Sequence, residues 1–111
     1  MRGLAAAAAL LLATGCGEET VSGDPAVERG RGVYLSICTA CHNADPTREG
    51  SQGPPVAGAS LELLEARVLR REYPPGYTPQ RTSDLMPAFP QLADHLGDLH
   101  AFLAAAADST R

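Results

Sequence analysis

The stretch Cys38-Thr39-Ala40-Cys41-His42, CTACH, constrains this chain more than any other five residues. Two thiols three positions apart with an imidazole directly after them serve three chemistries: a redox dithiol, part of a zinc site, or the covalent attachment of a haem. A thioredoxin-like dithiol sits at the start of a helix that follows a strand, where the helix N-terminus lowers the thiol pKa. The segment before CTACH, PAVERGRGVYLSIC, has helical spacing instead, and no strand precedes it. A structural zinc site takes four cysteine or histidine ligands. The fourth would have to be His95 or His100, and adjacent Cys41 and His42 have difficulty reaching one metal together. In the haem reading, thiols three apart on a helix face the same side and add to the two vinyl groups along one porphyrin edge. His42 then brings its imidazole under the ring as the proximal iron ligand. CTACH is read as this signal, for one covalently attached haem c, with the dithiol and zinc readings ranked below it.

The start of the chain places CTACH in an exported protein. MRGLAAAAALLLATGC carries one positive charge at Arg2, an apolar run from Leu4 to Ala13, and then small residues. The run is too short to span a bilayer and has the layout of a secretory signal peptide. Its end, Leu12-Ala13-Thr14-Gly15-Cys16, resembles the lipobox of bacterial lipoproteins, which implies cleavage before Cys16 and a lipid on that sulfur. An ordinary signal peptide with an incidental cysteine, or an alanine-rich N-terminal helix, is the competing reading. Residues 1–15 are therefore assigned as a lipoprotein-type signal peptide. Residues 16–24, CGEETVSGD, are small, polar and acidic, and read as a tether. Lipidation of Cys16 also accounts for the odd cysteine of three in the chain. Without Arg2, eight arginines face thirteen acidic residues, and lysine is absent. That balance, with no basic run, argues against nucleic acid as a partner.

The remainder reads as all-α. Asp24 caps a helix with Pro25 in its first turn, running to about Ala40. Val27, Gly30, Tyr34 and Cys38 share one face, and Gly30 beside Tyr34 suggests close approach by another helix. NADPTREGSQGPPVAGAS is a loop, with Gly53-Pro54-Pro55 as a rigid turn. Ser60 caps a second helix, LELLEARVLRREY, with Leu61, Leu64 and Val68 inward and Glu62, Glu65, Arg67 and Arg71 outward. Pro74-Pro75-Gly76 ends it. An irregular stretch then carries Met86, the only methionine after residue 15. The last helix, QLADHLGDLHAFLAAAAD, has Leu92, Leu96, Leu99, Leu103 and Ala106 as its stripe, with Phe102 beside it.

From Asp24 to Ala107 these residues resemble the class I, mitochondrial-like cytochrome c domain, in particular small bacterial monohaem forms. The resemblance rests on CTACH, on Gly30 and Tyr34 before it, on Pro54, on Leu85-Met86-Pro87-Ala88-Phe89, and on Leu99 and Phe102. It implies a domain over 25–108 whose N- and C-terminal helices cross around the haem, with Gly30, Tyr34, Leu99 and Phe102 at the crossing. It implies that the Pro54 carbonyl accepts the free N–H of the proximal histidine, and that Met86 ligates iron opposite His42. Tyr77, Thr78 and Arg81 fall where family members contact haem propionates. Met86 as a core gap-filler is the plain alternative, with His95 and His100 as substitute ligands.

With both axial positions filled, the function expected from the resemblance is one-electron transfer rather than enzymatic conversion. The carrier would shuttle electrons between redox partner proteins at the periplasmic, extracytoplasmic face of a membrane, anchored through Cys16. The competing functions are a haem-based sensor from which Met86 dissociates and the haem subunit of a larger oxidoreductase complex. A peroxidase-like enzyme ranks last, since no acid-base pair stands out.

Overall fold

The first helix begins where Asp24 turns its carboxylate onto the chain that follows: the side chain accepts a hydrogen bond from the Ala26 N–H at 2.9 Å. Pro25, which has no N–H to leave unpaired, is the first residue of α1 (Pro25–Ile37). The computed structural model describes residues 23–110. The proposed signal peptide, Cys16 and most of the proposed tether lie outside the described residues. The described residues hold three α-helices and no strand, and the fold class is all-α.

The first helix is shorter than the expected run to Ala40. It stops at Ile37 and tightens into a 3₁₀ turn, Cys38–Ala40, closed by Cys41 N–H bonding the Cys38 carbonyl at 3.2 Å. In such a turn residues three apart eclipse one another, so Cys38 and Cys41 still fall on one side. A loop leads to Ser60, whose hydroxyl accepts from the Leu63 N–H at 3.0 Å and caps α2 (Leu61–Leu64).

Here the structure corrects the sequence twice. The expected 13-residue second helix is α-helical for only four residues, then widens into a π-turn over Glu65–Leu69. It ends at Arg71, whose φ of 60° is left-handed, well before Pro74. A wider turn changes the rotation per residue within it, and Ala66 is buried there at 3 % exposure; Leu61, expected inward, precedes the turn and is 39 % exposed. The same rotation brings Arg67, expected to face outward, inward to 11 % side-chain exposure.

The C-terminal segment also divides, into a 3₁₀ stretch, Pro90–His95, and α3 (Leu96–Asp108). Its stripe nonetheless packs as expected: Leu92, Leu96, Leu99 and Leu103 are all buried, together with Tyr34, Leu64, Ala66 and Val68. The terminal helices meet at Gly30. An added Cβ there would overlap the Asp98 carbonyl oxygen and lie 2.9 Å from Phe102 Cβ, so only glycine lets the backbones approach this closely. The Tyr34 and Phe102 rings pack beside the crossing with centroids 5.3 Å apart. An Arg29–Asp98 ion pair at 3.0 Å closes its outer side. No described helix is long and apolar enough to cross a membrane.

Candidate functional site

The segment after the 3₁₀ turn folds back under CTACH. The N–H groups of Gln52 and Gly53 both bond the Cys41 carbonyl at 3.0 Å, and the Gly50 N–H bonds the Gly53 carbonyl at 2.9 Å. Two glycines make this possible. A Cβ at Gly50 would stand 2.6 Å from His42 Cα, and one at Gly53 would run into the His42 imidazole. The His42 ring therefore lies flat against Gly53. Its Nδ1 is 3.0 Å from the Pro54 carbonyl oxygen. A carbonyl only accepts, so Nδ1 carries the proton in this contact, which leaves Nε2 as the nitrogen that could bind a metal. The Pro54 contact expected from the sequence is present.

Tyr34 reaches from α1 to the same segment, donating its hydroxyl to the Asn43 carbonyl. Burial pushes this phenol up to about 12. Burial likewise pushes the Cys38 thiol up to about 11, so it stands as a neutral thiol, unlike the acidified thiolate of a redox dithiol. Cys38 and Cys41 are both free and half-buried. Among the described residues no three His, Cys, Asp or Glu side chains converge to hold a metal ion, which gives the zinc reading no fourth ligand.

Cys38, Cys41, His42 and Met86 line one cavity of about 560 Å³. Part of its wall is core: Tyr34 from α1, Leu64 from α2, Val68 from the π-turn and Leu99 and Leu103 from α3 line it, with Pro87 and Phe89 from the Met86 loop. The volume falls within the range of cofactor pockets. An apolar pocket lined by two thiols, a histidine held through its Nδ1 and a thioether sulfur has the donor types a covalently held haem requires. The residues present fit that group.

Of the residues considered for propionate contact, Tyr77 and Arg81 line the cavity, whereas Thr78 is exposed and does not. Arg81 is already paired with Glu49 from the opposite loop. His95 is exposed and His100 half-buried on α3, and neither lines the cavity. The sequence reading missed Arg67, which lines the cavity, stacks its guanidinium 4.5 Å over the Tyr73 ring and bonds Asp84 at 3.0 Å. That bond, more than the nearby Arg71, holds the Asp84 carboxyl below the usual carboxylate range. Gly50 and Asn43 were missed too. Nothing local marks them, since a close approach or an accepting carbonyl is defined only by what packs against it.

No family model, curated protein or solved structure matches the chain.

Proposed function

We propose that this chain is a monohaem c-type cytochrome of class I, a one-electron carrier held at the periplasmic face of a membrane by a lipid on Cys16. The observation that carries this reading is that Cys38, Cys41, His42 and Met86, drawn from segments more than forty positions apart, line one apolar cavity. When bound, the haem supplies an iron that takes up and returns one electron. Cys38 and Cys41 would hold it through thioether links. His42, oriented by the Pro54 carbonyl and by Gly53, would supply a nitrogen ligand to the iron, and Met86 would supply a sulfur ligand. Two filled axial positions favour electron transfer over substrate chemistry, and a thioether ligand raises the potential. The apolar walls exclude water. Partners are other redox proteins at the membrane, which the anchor keeps at high effective concentration.

The test is the optical spectrum of periplasmically matured protein, oxidised and reduced, before and after acid-acetone extraction. The expected result is haem that resists extraction, a sharp reduced α-band and the near-infrared band of sulfur-ligated ferric iron. Extractable or absent haem overturns the reading. Carbon monoxide binding to the reduced protein at neutral pH would replace the carrier by a sensor.

A further inference from the structure

The segment that carries Met86 is held in an unusual way. Among the described residues, none from 78 to 88 makes a backbone–backbone hydrogen bond outside a helix, and none of them is helical. The segment is fastened at its ends, by Tyr77 N–H to the Pro74 carbonyl at 3.1 Å and by Phe89 N–H to the Val68 carbonyl at 2.6 Å. Between those points its hydrogen bonds come from side chains. Gln80 reaches the Pro55 carbonyl, Arg81 pairs with Glu49, and Asp84 receives two arginines.

The Asp84 contact is the most elaborate of the three and lies two residues from Met86. Arg67 Nη2 donates to Asp84 Oδ1 at 3.0 Å. Arg71 Nη2 donates to the Asp84 backbone carbonyl at 2.6 Å and stands 3.1 Å from Oδ2. Arg67 Nη1 in turn donates to the Arg71 carbonyl at 3.1 Å. Both arginines come from the π-turn and its left-handed end. Arg71 sits in the left-handed region at φ 60°, a conformation unfavourable for an L-residue. The irregular end of this helix and Asp84 of the loop are joined through both guanidiniums.

We propose that Arg67, Arg71 and Asp84 form a clamp that positions Met86, holding its loop closed over the cavity; Met86's role as an iron ligand in this proposal rests on the function proposed above. The three are positioning residues. An isolated exposed ion pair contributes little, but here several charges form a network, one guanidinium is nearly buried, and the loop has no backbone ladder to fall back on. Loss of the clamp releases the loop locally and leaves the helix crossing intact.

The test compares wild type with Asp84→Ala, Asp84→Asn and Asp84→Glu, each as the matured full chain. It reads the near-infrared sulfur band and the apparent affinity of the ferric protein for imidazole. Imidazole takes the position of Met86 only in molecules whose loop has opened, so its affinity scales with the open fraction. Asp84→Ala and Asp84→Asn should bind imidazole about tenfold more tightly, as expected when a charge-assisted network is lost, and show a weakened sulfur band. Asp84→Glu should stay near wild type, and all three should melt close to the wild-type temperature. Unchanged imidazole affinity in Asp84→Asn overturns the clamp, with or without a fall in melting temperature; this near-isosteric variant decides the matter if Asp84→Ala does not fold. Wild-type protein without covalent haem overturns the functional reading instead. The clamp is then judged by thermolysin cleavage within residues 82–88, expected to be about tenfold faster in Asp84→Asn when cleavage tracks the open population, and equal rates overturn it.

Discussion

At the scale of single residues, the glycines of this chain divide by what surrounds them. A methyl group at Gly53 has no space that the His42 ring does not fill, and one at Gly30 has none that the Asp98 carbonyl does not fill. A methyl group at Gly32, exposed on α1, would meet nothing within 4 Å. Gly30→Ala and Gly53→Ala are therefore expected to lower stability by about 1–3 kcal/mol, the usual cost of forcing atoms into a packed site. Gly32→Ala is expected to raise it by up to about 1 kcal/mol through helix propensity. Denaturant unfolding of the three variants checks both signs, and a stable Gly53→Ala would show that the histidine is not wedged as described. Gly30 was legible in the sequence because it falls on the face of Tyr34. Cys38, Cys41 and His42 could be singled out as candidates because the attachment chemistry proposed for them demands given residue types at short spacing. Gly50 and Arg67 were not, since one is defined by a distant backbone and the other by a change of helical register.

At the scale of elements, periodicity disclosed which helices exist and which faces they bury, but not where they change character. A π-turn or a left-handed arginine leaves no local signature, because each is fixed by the contacts the segment makes once docked. Arg71 adopts φ 60° where its side chain reaches Asp84. The pairing of α1 with α3 has a component that pH can remove. The hydrogen bond from Arg29, reinforced by its charge, holds the Asp98 carboxyl below its ordinary value. A carboxylate whose pKa is depressed by folding adds stability that is fully present above its unfolded value, about 3.9, and is lost as pH falls through the lower folded value. Asp98→Asn should therefore melt below wild type at neutral pH, and the gap should close as the pH drops below about 4. Added salt at neutral pH should narrow it too, since Arg29 is largely exposed. A gap that persists unchanged in acid would mean that the variant disturbs the Gly30 crossing rather than the ion pair.

At the scale of the whole molecule, the core and the site are the same place. Among the described residues eight apolar side chains are buried; Tyr34, Leu64, Val68, Leu99 and Leu103 are five of them, and each also lines the cavity. A chain of this length has little apolar surface to spare, so these side chains need an apolar partner on the cavity side as well as on their own. The haem of the proposed function would be that partner, occupying the cavity of about 560 Å³ that the chain lines but does not fill itself. The all-α class could be read from helical spacing alone, whereas the cavity became visible only when α1, the π-turn and α3 were seen to face a common space. Folding should then depend on the bound group. Cys38→Ala with Cys41→Ala, which removes both attachment points, is expected to yield protein with much less helical circular dichroism than the matured wild type and without a cooperative melt. If the double variant melts cooperatively with wild-type helix content, the three helices are a self-sufficient core, and the cavity is a site built onto it rather than its centre.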